Sequence, residues 1–162
     1  MQPIKRILIE WGLPFVVFTA FATGVALTKG LFIGLQVLSA CYVCLLFGRI
    51  VMAQRLRHHL IWRIENGEVP LDRMAIWYLS RNIAFSTGYS WIVLILGGSA
   101  LLISYTPFAD WIQSWPFLDW ASHRIQVLRG ATARILIVAC AGVAAFYGRL
   151  VWLEYVVLRE DF

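Results

Sequence analysis

No charged residue occurs between Arg81 and Asp110, and the centre of that interval reads Trp91-Ile-Val-Leu-Ile-Leu-Gly-Gly-Ser-Ala-Leu-Leu-Ile103. A run of this length is more than the roughly 20 apolar residues a helix needs to cross about 30 Å of hydrocarbon. In such a solvent every backbone N–H and C=O must be paired inside the protein, and a continuous apolar run of this length does so as a helix, where barrel strands are shorter and alternate in polarity. It predicts a span over 82–106, closed by Pro107.

Three further stretches have the same character. The first covers 7–28, contains Pro14 early, and ends at Lys29-Gly30. It follows Lys5 and Arg6 as a signal peptide would, but the apolar run from Trp11 to Leu27 is too long for an ordinary h-region, contains Pro14 early, and has no A-x-A-like site followed by a soluble mature region, so it is expected as a retained anchor. The second covers 31–54, uncharged from Leu31 to Gly48, with Arg49 close enough to the far end to snorkel. The last covers 133–153, with Arg134 near one end and Arg149 near the other. The expected fold class is therefore all-α: a polytopic membrane protein of 162 residues with four transmembrane helices in two hairpins, forming one membrane domain. With 60% hydrophobic and 14% charged residues, against roughly 45–50% and about 25% in soluble domains, water is not its main solvent.

Two connections carry the polar residues. Residues 55–81 hold Arg55, Arg57, Arg63, Arg73 and Arg81, the pair His58-His59, and a turn signal at Glu65-Asn66-Gly67 before Pro70. Leu56, Leu60, Ile61 and Ile64, then Leu71, Ala75, Tyr78 and Leu79, recur at helical spacing and predict two short helices joined near Asn66-Gly67. Residues 107–132 form an outer interfacial segment in which Trp111, Trp115 and Trp120 read as interfacial anchors, and 117–128 predicts an amphipathic helix along the membrane surface.

The positive-inside rule sets direction. With the N-terminus inside, Lys5, Arg6, Arg55, Arg57, Arg63, Arg73, Arg81 and Arg159 fall on the cytoplasmic side, against Lys29, Arg124, Arg129 and Arg134 on the other. The expectation is a bacterial-type inner membrane with both termini cytoplasmic. The net charge is +5, but the twelve arginines are spread among hydrophobic segments rather than gathered on one soluble face, which points away from nucleic acid.

An internal similarity links the second and last spans. Phe47-Gly48-Arg49-Ile50-Val51 and Tyr147-Gly148-Arg149-Leu150-Val151 lie 100 residues apart, with Gly, Arg and Val identical. Ala40, Cys44 and Gly48 make a line of small residues at i, i+4, i+8, and Cys140, Ala144 and Gly148 make the same line in the other helix. Such lines let helix backbones approach in lipid and predict helix packing through these six residues. With a weaker likeness between Gly12-Leu-Pro-Phe-Val-Val and Gly88-Tyr-Ser-Trp-Ile-Val, they suggest a parallel two-plus-two repeat.

Candidate chemistry is sparse. Cys41 and Cys44 form a C-x-x-C, but near mid-span, where small apolar packing residues are the better reading. His58, His59 and His123 flank the spans, which argues against intramembrane haem or metal. Glu10 and Glu154 sit at span ends, and no carboxylate lies at a midplane as ion-coupled transporters require. No cofactor is implied, and no hydrolase, kinase, nucleotide-binding or metalloenzyme motif is present. Arg49 and Arg149 are the most pointed pair. Guanidinium suits bidentate binding of phosphate or carboxylate, so they could hold an anionic lipid head group, a partner's acidic residue or Glu154, with Arg55, Arg57 and Arg63 as further lipid or partner contacts. Ordinary snorkelling is the plainer alternative.

The expected function is a non-catalytic subunit of a larger inner-membrane assembly of secretion, transport or respiratory type, whose partners are lipids and other integral subunits or copies of itself. A homo-oligomeric pore lined by Thr19, Thr23, Gln36 and Ser39 is the first alternative, and a small lipid-active enzyme using His58-His59 is the second.

Overall fold

The structure, a computed structural model, describes residues 9, 12–67, 73–105, 111, 114 and 119–160, the side chains of 73–79, 119–130 and 157–160 excepted. The described residues form four helices: α1 (Leu13–Lys29), α2 (Leu31–Glu65), α3 (Arg73–Ser104) and α4 (Asp119–Glu160). Three contain segments long and apolar enough to cross a membrane, Leu31–Glu65, Ser80–Ser104 and Ala131–Val156. The remaining helix, α1, has 17 described residues. Within the three apolar windows only 22%, 28% and 28% of residues are buried inside the chain, so most of each helix surface is left for lipid or a partner.

Proline in the first turn suits the start of α1, because its missing N–H is unpaired there anyway. The chain reverses at Gly30, whose φ of +102° is strained for any residue with a Cβ and whose N–H donates to the Ala26 carbonyl at 3.1 Å. The hairpin closes tightly above this turn: a Cβ on Gly34 would come within 2.7 Å of the Ala26 Cα. Near the far end of α1, Phe15 stacks on Tyr42 of α2 at 4.8 Å between ring centroids and on Tyr147 of α4 at 5.8 Å.

The helix α2 is the centre of the bundle, in contact with α1, α3 and α4, while α3 and α4 also pack on each other. Its 35 residues amount to about 52 Å at 1.5 Å per residue, well beyond the hydrocarbon. The first of the two expected short helices is therefore the unbroken continuation of α2. No Gly or Pro interrupts residues 49–65, and Leu60 is buried against Ile83 with Ala53, Leu56 and Ile64 around them. The turn falls where expected, with Gly67 at φ +70°, and α3 is helical from Arg73 onward. Residues 68–72 lie outside the described ones.

A similar correction applies at the other end. The backbone is helical without a break from Asp119 to Glu160, so the described part of the expected surface helix over 117–128 is the first turns of the last helix. Gly130 does not end it, since one glycine costs a helix interior only about 1 kcal/mol. The main core lies between α2 and α4, formed by Tyr42, Leu46, Ile50, Cys140, Val143, Tyr147 and Leu150. These two helices run parallel, as Ser39 beside Cys140 and Arg49 beside Glu154 demonstrate. Helix α3 runs antiparallel to both, with Gln36 on Ser104 at one end and Arg149 on Ser86 at the other.

Candidate functional site

The most demanding residue in the bundle is Arg49. It lies one residue beyond the uncharged run of α2 and is 1% exposed, turned into the protein rather than outward to the interface. The snorkelling alternative therefore does not hold for Arg49. Its Nη2 forms an ion pair with Glu154 Oε2, and that carboxylate is itself mostly covered. Tyr147 lies within electrostatic reach of both charges, and Leu46 and Ile50, with no surface exposed, wall off the same stretch of α2. A cation at this depth is stable only when paired, because desolvating an ion costs several kcal/mol before any attraction is counted.

Arg149, the counterpart in the repeated pentapeptide, behaves differently. It is exposed, and its Nε donates to Ser86 Oγ at 3.0 Å. Ser86 belongs to a buried hydroxyl ladder on α3 with Thr87 and Ser90. Ser90 donates to the Ser86 carbonyl at 2.6 Å, and Thr87 to the Ile83 and Ala84 carbonyls at 2.9 Å. Sequence reasoning misses all three. The signal it could have used is hydroxyls at i and i+4 inside an apolar span, where each can satisfy itself on its own backbone and still accept from a neighbouring helix.

The polar residues considered as pore lining are engaged within the chain. Thr19 donates to the Phe15 carbonyl at 2.7 Å, so in its 2.8 Å contact with Tyr42 the phenol is the donor. Gln36 donates to the backbone and side-chain oxygens of Ser104, both at 3.1 Å, and Ser39 is buried beside Cys140. Thr23 is exposed and bonds back to Thr19. The space enclosed by Phe15, Tyr42, Leu45, Val143, Ala144 and Tyr147 admits no water.

The six small packing residues separate. Cys140 is buried, and Ala40 and Ala144 are half-buried, Ala144 against the main core. Cys44 and Gly148 face outward, and nothing lies within 4 Å of a Cβ built on Gly48 or Gly148. Neither glycine therefore makes a close helix approach inside this chain. That role falls to Gly34 against Ala26 and to Gly97, whose added Cβ would stand 3.1 Å from Val143 Cγ2. The reason is rotational: on parallel α2 and α4 the contact runs through Leu46, Ile50, Cys140, Val143 and Leu150, which takes in Cys140 and Ala144 but leaves Cys44, Gly48 and Gly148 off it.

At the basic end, Arg55 and Arg57 are exposed, Arg57 donating from Nε to Ser80 Oγ at 3.3 Å, while Arg63 is half-buried. His58 and His59 line an open depression of about 580 Å³ with Gln54, Arg55 and Trp62, and His59 stacks on Trp62. Among the described residues no three His, Cys, Asp or Glu side chains are grouped as a metal would need. Cys41 and Cys44 are free thiols. Trp111 is 53% exposed. Trp115 and Glu10 lie outside the described residues, as does the side chain of Trp120. No family model, curated protein or solved structure matches this chain.

Proposed function

We propose that this chain is a non-catalytic, multi-pass subunit of a larger bacterial-type inner-membrane assembly, crossing the bilayer four times with both termini on the cytoplasmic side. The observation that carries this reading is where its polar groups go. Arg49 and Glu154, Arg149 and Ser86, Gln36 and Ser104, and Thr19 and Tyr42 are spent on joining the chain's own helices. Small residues such as Cys44, Ala141, Ala145 and Gly148 face outward, open to another helix. A scaffold that is internally fixed and externally apolar is suited to docking other spans rather than to chemistry. The 17-residue α1 is within the roughly 17–25 residues of a span, and the arginines after Gln54 supply the cytoplasmic face. The two hairpins, with α2 and α4 parallel, fit a duplicated unit.

Gentle extraction from the native membrane, followed by mass and composition of the extracted particle, tests the proposal. Other polypeptides in fixed ratio are expected. A particle made only of this chain that conducts ions in liposomes would replace the subunit by a homo-oligomeric pore.

A further inference from the structure

An open apolar groove of about 500 Å³ runs between α3 and α4 on the bundle's outer surface, floored by Val93, Gly97, Ala100, Ala139 and Gly142. At one end the helices close on each other, where Gly97 meets Val143 and Gly142 meets Val93. At the other end stands Arg134, exposed and without a hydrogen-bond or ion-pair partner among the described residues. From Arg134 to Gly142 the groove is about 12 Å long at 1.5 Å per residue, close to the roughly 15 Å depth of one leaflet of a 30 Å core.

We propose that this groove seats the acyl chains of one anionic phospholipid, whose phosphate is met by Arg134. Three observations select this occupant over a partner helix. Its length of about 12 Å fits one leaflet, whereas a crossing helix needs contact through both. Among the described residues its only charged lining group is a cation at the mouth, near the Ala131 end of the apolar segment, complementary to a phosphodiester. The small residues at its floor leave width for chains without exposing backbone polar groups. The inference depends on the membrane reading of α3 and α4 and is independent of whether the chain has protein partners.

The test is native mass spectrometry of the purified protein in neutral detergent, titrated with phosphatidylglycerol or with phosphatidylcholine of the same acyl chains. One lipid is expected to be retained, with a preference of about fivefold for phosphatidylglycerol, the ratio for one interfacial cation. Arg134→Gln should keep the bound lipid and lose the preference. Ala139→Phe, which fills the groove, should lose the lipid itself, with helicity by circular dichroism as the control for folding. Lys29→Gln, a cation at the same end of the bundle but outside the groove, should change neither. A preference that survives Arg134→Gln overturns the proposal, as does normal lipid loading by folded Ala139→Phe. If Ala139→Phe instead converts a lipid-free dimer to a monomer, the groove holds a second copy and the proposal also fails. Should Ala139→Phe not fold, Arg134→Gln decides alone.

Discussion

The two copies of the Gly-Arg pentapeptide have opposite fates. In α2, Arg49 and Ile50 are buried and Phe47 is half exposed, while in α4, Tyr147 and Leu150 are buried and Arg149 faces out. The sequences match, yet the two helices present faces about one residue, or roughly 100°, apart. The cause is their place in the bundle. Helix α2 is touched by all three others, so its inward face must meet neighbours on several sides, whereas α4 has α2 and α3 as its main neighbours. A repeated motif thus supplies the same charge at the same depth twice, and helix position decides whether it becomes an internal tie or a surface contact.

The buried Arg49–Glu154 pair is where the largest effect is expected. Glu154→Ala strands Arg49 without its carboxylate and is expected to destabilise the protein by about 3–5 kcal/mol, read from unfolding in mixed detergent–SDS micelles by circular dichroism. Replacing both partners, Arg49→Met with Glu154→Met, should recover most of that loss, since no charge is left buried. If Glu154→Ala were harmless, Arg49 would have another exit and the contrast with Arg149 would collapse.

A second contrast separates glycines in contact from glycines in the open. Gly97→Leu pushes against Val143 and should cost about 1–3 kcal/mol in the same assay through overpacking. Gly148→Leu, with open space around it, should leave the isolated chain's stability unchanged within about 0.5 kcal/mol. Under the subunit proposal it should nevertheless lower recovery of co-purified chains. Equal costs at both positions would show that the open face is not open.

Smaller effects sharpen the picture. Tyr42→Phe removes the Thr19 hydrogen bond between α1 and α2 and should cost about 0.6 kcal/mol, the average for interhelical bonds in membranes. Arg149→Ala, which removes only an exposed donor from Ser86, should fall between 0 and about 1 kcal/mol. An Arg149→Ala loss as large as that of Glu154→Ala would mean that both arginines are internal ties.

Much of the architecture is legible in the order of residues alone. The uncharged runs announce helices, and Lys29-Gly30 and Asn66-Gly67 are turns where the punctuation puts them, each with a glycine at positive φ. Helix continuity is less legible. The run from Leu56 to Ile64 has helical spacing, but spacing does not tell a new helix from an old one continued, and the packing of Leu60 on Ile83 decides it. The site is only half visible: Arg49, Arg149 and Glu154 stand out as charges at span ends, whereas Ser86, Thr87 and Ser90 do not, because a hydroxyl in a span can always satisfy itself on its own helix.

The sequence by itself determined that this chain is helical, that at least three of its helices are long and apolar enough to cross a membrane, and where the chain turns. Those features follow from local chemistry, since a long, continuously apolar run in hydrocarbon satisfies its backbone as a helix and glycine readily accepts the positive-φ turn geometry. Only the tertiary structure decided which arginine is buried, which glycines touch a neighbour, and where the outer surface opens into a groove. Each of these depends on the rotation of one helix against another, which is set by the fit of many side chains at once and is written in no single segment.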